Sequence, residues 1–390
     1  MPIKNKDVYL QPQTQTYNNM TYRIITFFLA LVLLFSCSGH NDKLYDELET
    51  CLAKRQEVTK AKEEKIADLK VELNKCKDEQ GRFALCDSLV KHYYLFNSDS
   101  ASKYIDLEMK LAKNLNRADY INKVRILDAY TLATSGHYND AETTMQNVDT
   151  AALDKKNLRL YYETWRWIYN TWEAYVKDEA RADIYAKKAD AYLDTLCMIE
   201  PGNTADGLYF KAEKQWNLGN LKEAEKNYLA CISKLDKSER IYASACCALA
   251  MVYDMQERYD DYEHYMILAA ISDQSIPLKE NLAIQELAKY LSHNKREYAR
   301  AQRYLVYSVE DAIYYNNRLR LTEIARKLPD IALGYQKAED TIAKYNLTVI
   351  AIMGALALGL LVVVMYSLKQ NKILIAQRKD RIILNEKLKA

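Results

Sequence analysis

Apolar residues along most of this chain recur every three or four positions, the period of an amphipathic helix, and short polar turns separate the runs. In YYETWRWIYNTWEAY (161–175), Tyr161, Trp165, Ile168, Trp172 and Tyr175 share one face, which predicts a buried stripe. Trp167 falls off that stripe and is the ring expected to be exposed. Between 41 and 75, Leu44, Leu48, Leu52 and then Ile66, Leu69, Leu73 mark an apolar stripe on one long charged helix or on two. It would pack on the first repeat or on another chain.

The pattern then repeats. SGHYNDAETTM (135–145), LGNLKEAEKNY (218–228) and QERYDDYEHYM (256–266) share a turn residue followed by bulky, small and bulky positions. These are Gly136, Tyr138, Ala141 and Met145; Gly219, Leu221, Ala224 and Tyr228; and Glu257, Tyr259, Tyr262 and Met266. A fourth, degenerate copy has Tyr298, Ala301 and Leu305, and Gly219, Glu257 and Arg296 lie 38 and 39 residues apart. This resembles the second half of a tetratricopeptide repeat, with the first helix visible upstream in Cys246, Leu249, Ala250 and Tyr253. A hairpin of this kind cannot bury its apolar face alone, so neighbours stack into a solenoid with a concave groove. Further hairpins are expected at 82–115, 157–198 and 279–314, with Pro277 suited to a helix start.

Two stretches break the amphipathic pattern. Arg23 precedes twelve largely apolar residues, Ile24 to Phe35, short for a span and suited to a signal-peptide core, with Met20 the expected start. Leu34, Ser36 and Cys37 resemble a lipoprotein signal-peptidase box, in which Cys37 takes the lipid, although Phe35 is unusual there. An ordinary signal peptide or an uncleaved anchor reads the same stretch equally well. The second break, Leu347 to Leu368, is 22 residues without a charge. As a helix it is about 33 Å long, enough to cross a bilayer core. Seven cations against two anions follow it over 369–390, whereas three of each precede it over 327–346. The positive-inside rule predicts an inner-membrane, single-pass protein with residues 38–346 exported and the tail cytoplasmic. Ala351, Ala355 and Gly359 form a small-residue stripe that would let two spans approach as a homodimer. Such stripes are also ordinary in spans.

Composition narrows the class. Nine Gly and five Pro in 390 residues favour an all-α chain with short connections. The 32 tyrosines read mainly as packing between repeats, or else as an aromatic groove for a peptide or sugar. Formal net charge is +2, so nothing in it asks for nucleic acid. The eight cysteines include no CxxC and read mostly as small core residues. In an exported domain Cys76 and Cys86 are within reach across the KDEQGR turn, a pairing the sequence leaves open. His40, His92, His137, His264 and His293 are scattered, with no HExxH, P-loop, GxGxxG or GxSxG. No catalytic, metal or cofactor residue is expected, and the protein is not read as an enzyme.

Residues 265–336 and the early LETCLAKRQEVTKAKEEKIADLK resemble a family of uncharacterised bacterial membrane proteins. Their sharpest shared motif is Asp311-Ala312, Asn317-Arg318-Leu319-Arg320, Glu323-Ile324 and Leu328-Pro329, and the similarity runs over nearly all of 42–390. The family combines an exported tetratricopeptide ectodomain, one transmembrane helix and a cytoplasmic segment, and some members are regulators. The resemblance implies a sensor or signalling scaffold that binds a protein or peptide partner in the groove. A purely structural scaffold of an envelope complex is the alternative. The expected map is a leader (1–37), an N-terminal amphipathic segment (38–81), repeats (82–315), juxtamembrane helices (316–346), the span (347–368) and a basic tail (369–390). Pro329 is expected to interrupt the last helix before the membrane. Arg318 and Arg320 are expected to pair within the solenoid or to bind a partner. Family members carry a longer cytoplasmic region, so a truncated tail is a further expectation.

Overall fold

The computed structural model describes the backbone of residues 41–295 and 297–389 and the side chains as far as Ile383. The leader and Cys37 lie outside the described residues. Among those described there are helices and no strands, so the chain is an all-α, tetratricopeptide-like solenoid followed by a long apolar helix. A single helix, α1 (Asp42–Lys75), opens it. Six antiparallel pairs follow: α2 (Glu79–Tyr93) with α3 (Ser98–Asn114), α4 (Ala118–Thr134) with α5 (Tyr138–Gln146), and α6 (Lys155–Tyr175) with α7 (Glu179–Ile199). Then come α8 (Ala205–Asn217) with α9 (Leu221–Ile232), α10 (Arg240–Met255) with α11 (Tyr259–Ser275), and α12 (Ala283–Tyr290) with α13 (Tyr298–Tyr315). The last helix, α14, runs from Arg318 to Lys389.

Local chemistry accounts for the helix ends. Asp78, Asn97, Asp154, Asp178 and Thr204 are N-caps whose side chains accept the backbone N–H three residues on. Gly136, Gly219 and Glu257 end α4, α8 and α10 in the left-handed conformation, as Asn116 and Asn316 do after α3 and α13. The second helix of each of those pairs then starts two residues later, directly from the turn.

Tyrosine supplies much of the packing, because a ring can be buried while its hydroxyl reaches a carboxylate at the edge. Tyr45 donates to Glu263, Tyr169 to Glu142, Tyr304 to Glu49 and Tyr314 to Glu63. Between α6 and α7 the rings stack in series, with Trp165 parallel to Tyr192 at 5.5 Å and Trp172 on Tyr185 at 4.4 Å.

The solenoid closes on itself. The first half of α1 buries Tyr45, Leu48 and Leu52 among α10 to α13, and its second half buries Ile66 and Leu73 among α2 and α3. The turn between α2 and α3 meets the last pair and the connection before it: Lys279 N and Glu280 N donate to Leu95 O, and Ser98 Oγ donates to Tyr315 O. Asp311 seals the junction, accepting from Arg55 of α1 at 2.6 Å, Lys279 at 2.7 Å and Asn281 at 3.2 Å.

Several expectations are corrected. Pro277 starts no helix; it lies in the connection that runs past Leu95, with Ile276 extended as a residue before proline tends to be. Pro329 does not interrupt α14, although it removes one backbone donor. Leu319, Ile324 and Ile331 are buried on both sides of it and hold the helix together. Trp167 is half-buried, stacked on Tyr130 at 5.5 Å and donating from Nε1 to Thr134 Oγ1, whereas Tyr175 at the end of the predicted stripe is 42% exposed. The pairing that the sequence leaves open is not made: Cys76 and Cys86 are both free thiols, Cys86 buried in the core of the first pair.

Candidate functional site

The expected repeat residues sit at helix crossings. Ala141, Ala224, Leu249, Ala250, Ala301 and Tyr228 are fully buried, and Tyr138 and Tyr253 nearly so. Leu221 and Tyr298 are half-buried, while Tyr259 is 43% exposed, because it starts α11 on the outer surface. The family-like motif is structural in three of its members. Asp311 seals the ring junction, Asn317 Oδ1 caps α14 by accepting from Arg320 N at 3.0 Å, and Pro329 is an exposed residue inside α14. Arg318 is exposed and leans its aliphatic part on Gly136. Ala351, Ala355 and Gly359 lie on the exposed face of α14.

Arg320 and Glu323 lead to the site itself. The first helices of successive pairs, α4, α6, α8 and α10, line the inside of the ring, and the first turn of α14 enters it from below. They enclose a pit in two connected parts. The lower, about 230 Å³, is lined among others by Met251, Asp273, Glu280 and Arg320. The upper, about 320 Å³, has Tyr94, Tyr130, Arg159, Glu163 and Asp206 in its walls. Trp167, Tyr209, Arg240 and Ser244 belong to both and form the neck.

Glu280 organises the lower part. One of its oxygens takes Arg320 and the other takes Arg240, each at 3.2 Å, and Arg320 also reaches Glu323 at 2.9 Å. Arg240 Nη2 donates in addition to Tyr130 OH at 2.8 Å, while its Nε and Nη1 have no partner among the described residues. Asp273 faces this node without a hydrogen bond or ion pair among the described residues. Burial pushes its carboxyl up to about 8, with Glu280 adding to the rise and Arg240 and Arg320 opposing it. The Cys247 thiol, beside it on α10, is pushed well above the usual thiol range by burial. In the upper part Arg159 is held by Glu163 and Asp206, and Arg166 by Glu213 at 2.6 Å. Among the described residues no cluster of His, Cys, Asp and Glu could hold a metal ion.

From the pit, α14 leaves the solenoid past Tyr298, where a Cβ on Gly334 would overlap the Tyr298 ring. It is the one described helix long and apolar enough to cross a membrane, and its apolar part is packed against no other described residues.

Stacked antiparallel helix pairs with small residues at the crossings and a lined inner face define a tetratricopeptide-repeat interaction domain. The chain matches the model of the SusR N-terminal TPR domain over residues 52–326, and it belongs to that family. No curated protein matches the chain. Domains of this class serve protein–protein interaction and are typically not catalytic, and the apolar part of α14 fits membrane anchoring.

Asp273, Arg240, Glu280 and Tyr209 were not legible as site residues in the sequence. They stand on different helices or in a connection, with no shared spacing. The only local signal was the resemblance motif containing Arg320.

Proposed function

We propose that the chain is a membrane-anchored sensor: an exported solenoid binds a protein or peptide partner on its inner face and passes occupancy through α14 to a cytoplasmic tail. The observation that carries this reading is the course of α14. Its first turn contributes Arg320 to the pit, and the same helix continues through the 22 uncharged residues into the basic segment. At 1.5 Å per residue its 72 residues extend about 108 Å, so a rotation or tilt at the pit is carried across a bilayer. The charge difference across the span supports an exported body and a cytoplasmic tail. The proposed map keeps an N-terminal export signal, with lipidation at Cys37 one form of it, and a regulatory role like that of the family the sequence resembles. Ala351, Ala355 and Gly359 would be the contact between two spans.

Topology tests the reading. In cells with the outer barrier opened, Gln302→Cys should react with an impermeant maleimide and Asn385→Cys should react only after lysis. Reaction of both from outside, or of neither, would end the sensor reading.

A further inference from the structure

Below Gly334, α14 parts from the body. Leu319, Ile324 and Ile331 hold its upper part, and no described residue after Ile331 is buried. The last anchored turns are also the weakest in the helix. Pro329 has no N–H to offer the carbonyl of Ala325, and Gly334 leaves the place of a Cβ to the ring of Tyr298. Long helices bend most sharply at proline, and glycine adds backbone freedom.

Directly below this joint a cleft of about 900 Å³ separates the first turns of α13 from α14. Asn346, the last residue of its wall, adjoins Leu347, so the angle at the cleft sets the angle of the apolar segment. The α14 face that is buried at Ile331 continues into the cleft as Tyr335, Ala338 and Ile342, where Ile342 is 59% exposed.

The two walls carry opposite charges that do not meet. Arg300 and Arg303 stand on α13, and Glu339 and Asp340 stand on α14. Arg300 keeps to Glu297 at 2.8 Å and to the face of the Tyr45 ring. Arg303 holds Glu49 at 2.9 Å through Nη2, which leaves its Nε and Nη1 without a partner among the described residues. Opposite, Glu339 accepts from the Tyr335 hydroxyl at 2.9 Å, and Asp340 has neither a hydrogen bond nor an ion pair among the described residues.

We propose that the foot of α14 is a latch with two positions. It is open in this structure; it closes when α14 bends between Pro329 and Gly334 into the cleft, bringing Asp340 to the spare donors of Arg303, Glu339 beside Arg300, and Ile342 against Ala299. Part-exposed ion pairs contribute little each, so the two positions lie close in free energy and a small load on either end of α14 selects one. The latch deepens the sensor reading by naming the joint that sets the angle of the span.

The test uses the full chain in nanodiscs, with nitroxides carried by p-acetylphenylalanine at Gln302 and Thr341 so that the native cysteines stay unlabelled. Pulsed dipolar spectroscopy should resolve two distances. The shorter population should fall at least about threefold between about 0.01 M and 1 M salt, because the closing pairs are screened. Glu339→Gln with Asp340→Asn should abolish it while circular dichroism stays that of the wild type. Arg303→Asp should lose it, and adding Asp340→Arg should bring it back. Pro329→Ala, which restores the missing donor, should reduce it. A single distance, or two that ignore both salt and the neutral variant, overturns the proposal. So does a short distance that vanishes on dilution with unlabelled chain, since it then arises between copies. A chain with the exported topology but one distance loses this proposal alone. If the maleimide test fails and two salt-sensitive distances remain, the sensor reading falls and the latch stands.

Discussion

At the residue scale, the same backbone position carries different loads in different repeats. Gly136 and Gly219 both end a helix at positive φ, which an L-residue adopts at a cost of about 1–2 kcal/mol. Nothing lies within 4 Å of a Cβ built on Gly219, but one on Gly136 would stand 3.2 Å from the Cβ of Arg318. Gly219→Ala should lower the unfolding free energy by about 1–2 kcal/mol, and Gly136→Ala by more, because it also displaces the first turn of α14. Urea titration of the two variants should rank them in that order. Glu108 is buried in the core of the first pair with both oxygens unpaired. Burial, helped by Asp87, raises its carboxyl to about 8, against opposition from Lys123 and Lys91. A folded-state value above the unfolded one means that folding takes up a proton. This contribution therefore costs nothing below about pH 4.5, grows as pH rises to about 8, and is level beyond. Glu108→Gln should flatten that decline and raise stability at pH 8 by on the order of 2–4 kcal/mol, checked by denaturant midpoints at pH 5 and pH 8.

At the element scale, α1 is a clasp as well as a cap. Its two apolar halves serve opposite ends of the solenoid, and Arg55 between them reaches Asp311. Leu48, fully buried against the later pairs, should cost about 2–5 kcal/mol on replacement by Ala. Asp311→Ala should cost about 3–5 kcal/mol, since it leaves Lys279 buried without its carboxylate and Arg55 with Glu310 alone. Thermal unfolding measures both losses. Small-angle scattering should show the Asp311 variant with a larger radius of gyration, because the clasp is what holds the first and last pairs together. An unchanged radius would mean that the Leu95 contacts suffice without it.

At the scale of the whole molecule, closure changes how the solenoid should behave. An open repeat array can unfold from its ends, since each unit contacts only its neighbours. Here the first and last pairs are joined through α1 and Leu95, so no end is free among the described pairs. The body should unfold in one transition, with helix content and the fluorescence of Trp165, Trp167, Trp172 and Trp216 lost together. Asp311→Ala should separate the two signals. Closure also reshapes the inner face, so that the start of α14 contributes Arg320 to the lining of the pit.

Much of this was legible in the sequence because it depends on neighbours along the chain. Three- and four-residue spacing marked the helices, glycines marked the turns after α4 and α8, and the run from Leu347 to Leu368 marked the membrane-length segment. These follow from helix period, backbone sterics and desolvation, which act within a few residues. Register between distant parts follows no such local rule. That α1 is continuous and bridges both ends, that Pro329 is carried inside α14, and that Trp167 turns inward depends on burial and ion pairs between residues far apart in the chain. The pit is the extreme case. Arg240, Asp273, Glu280 and Arg320 have no common spacing, and only the curvature of the stacked pairs, closed by α1, brings their charges to one node.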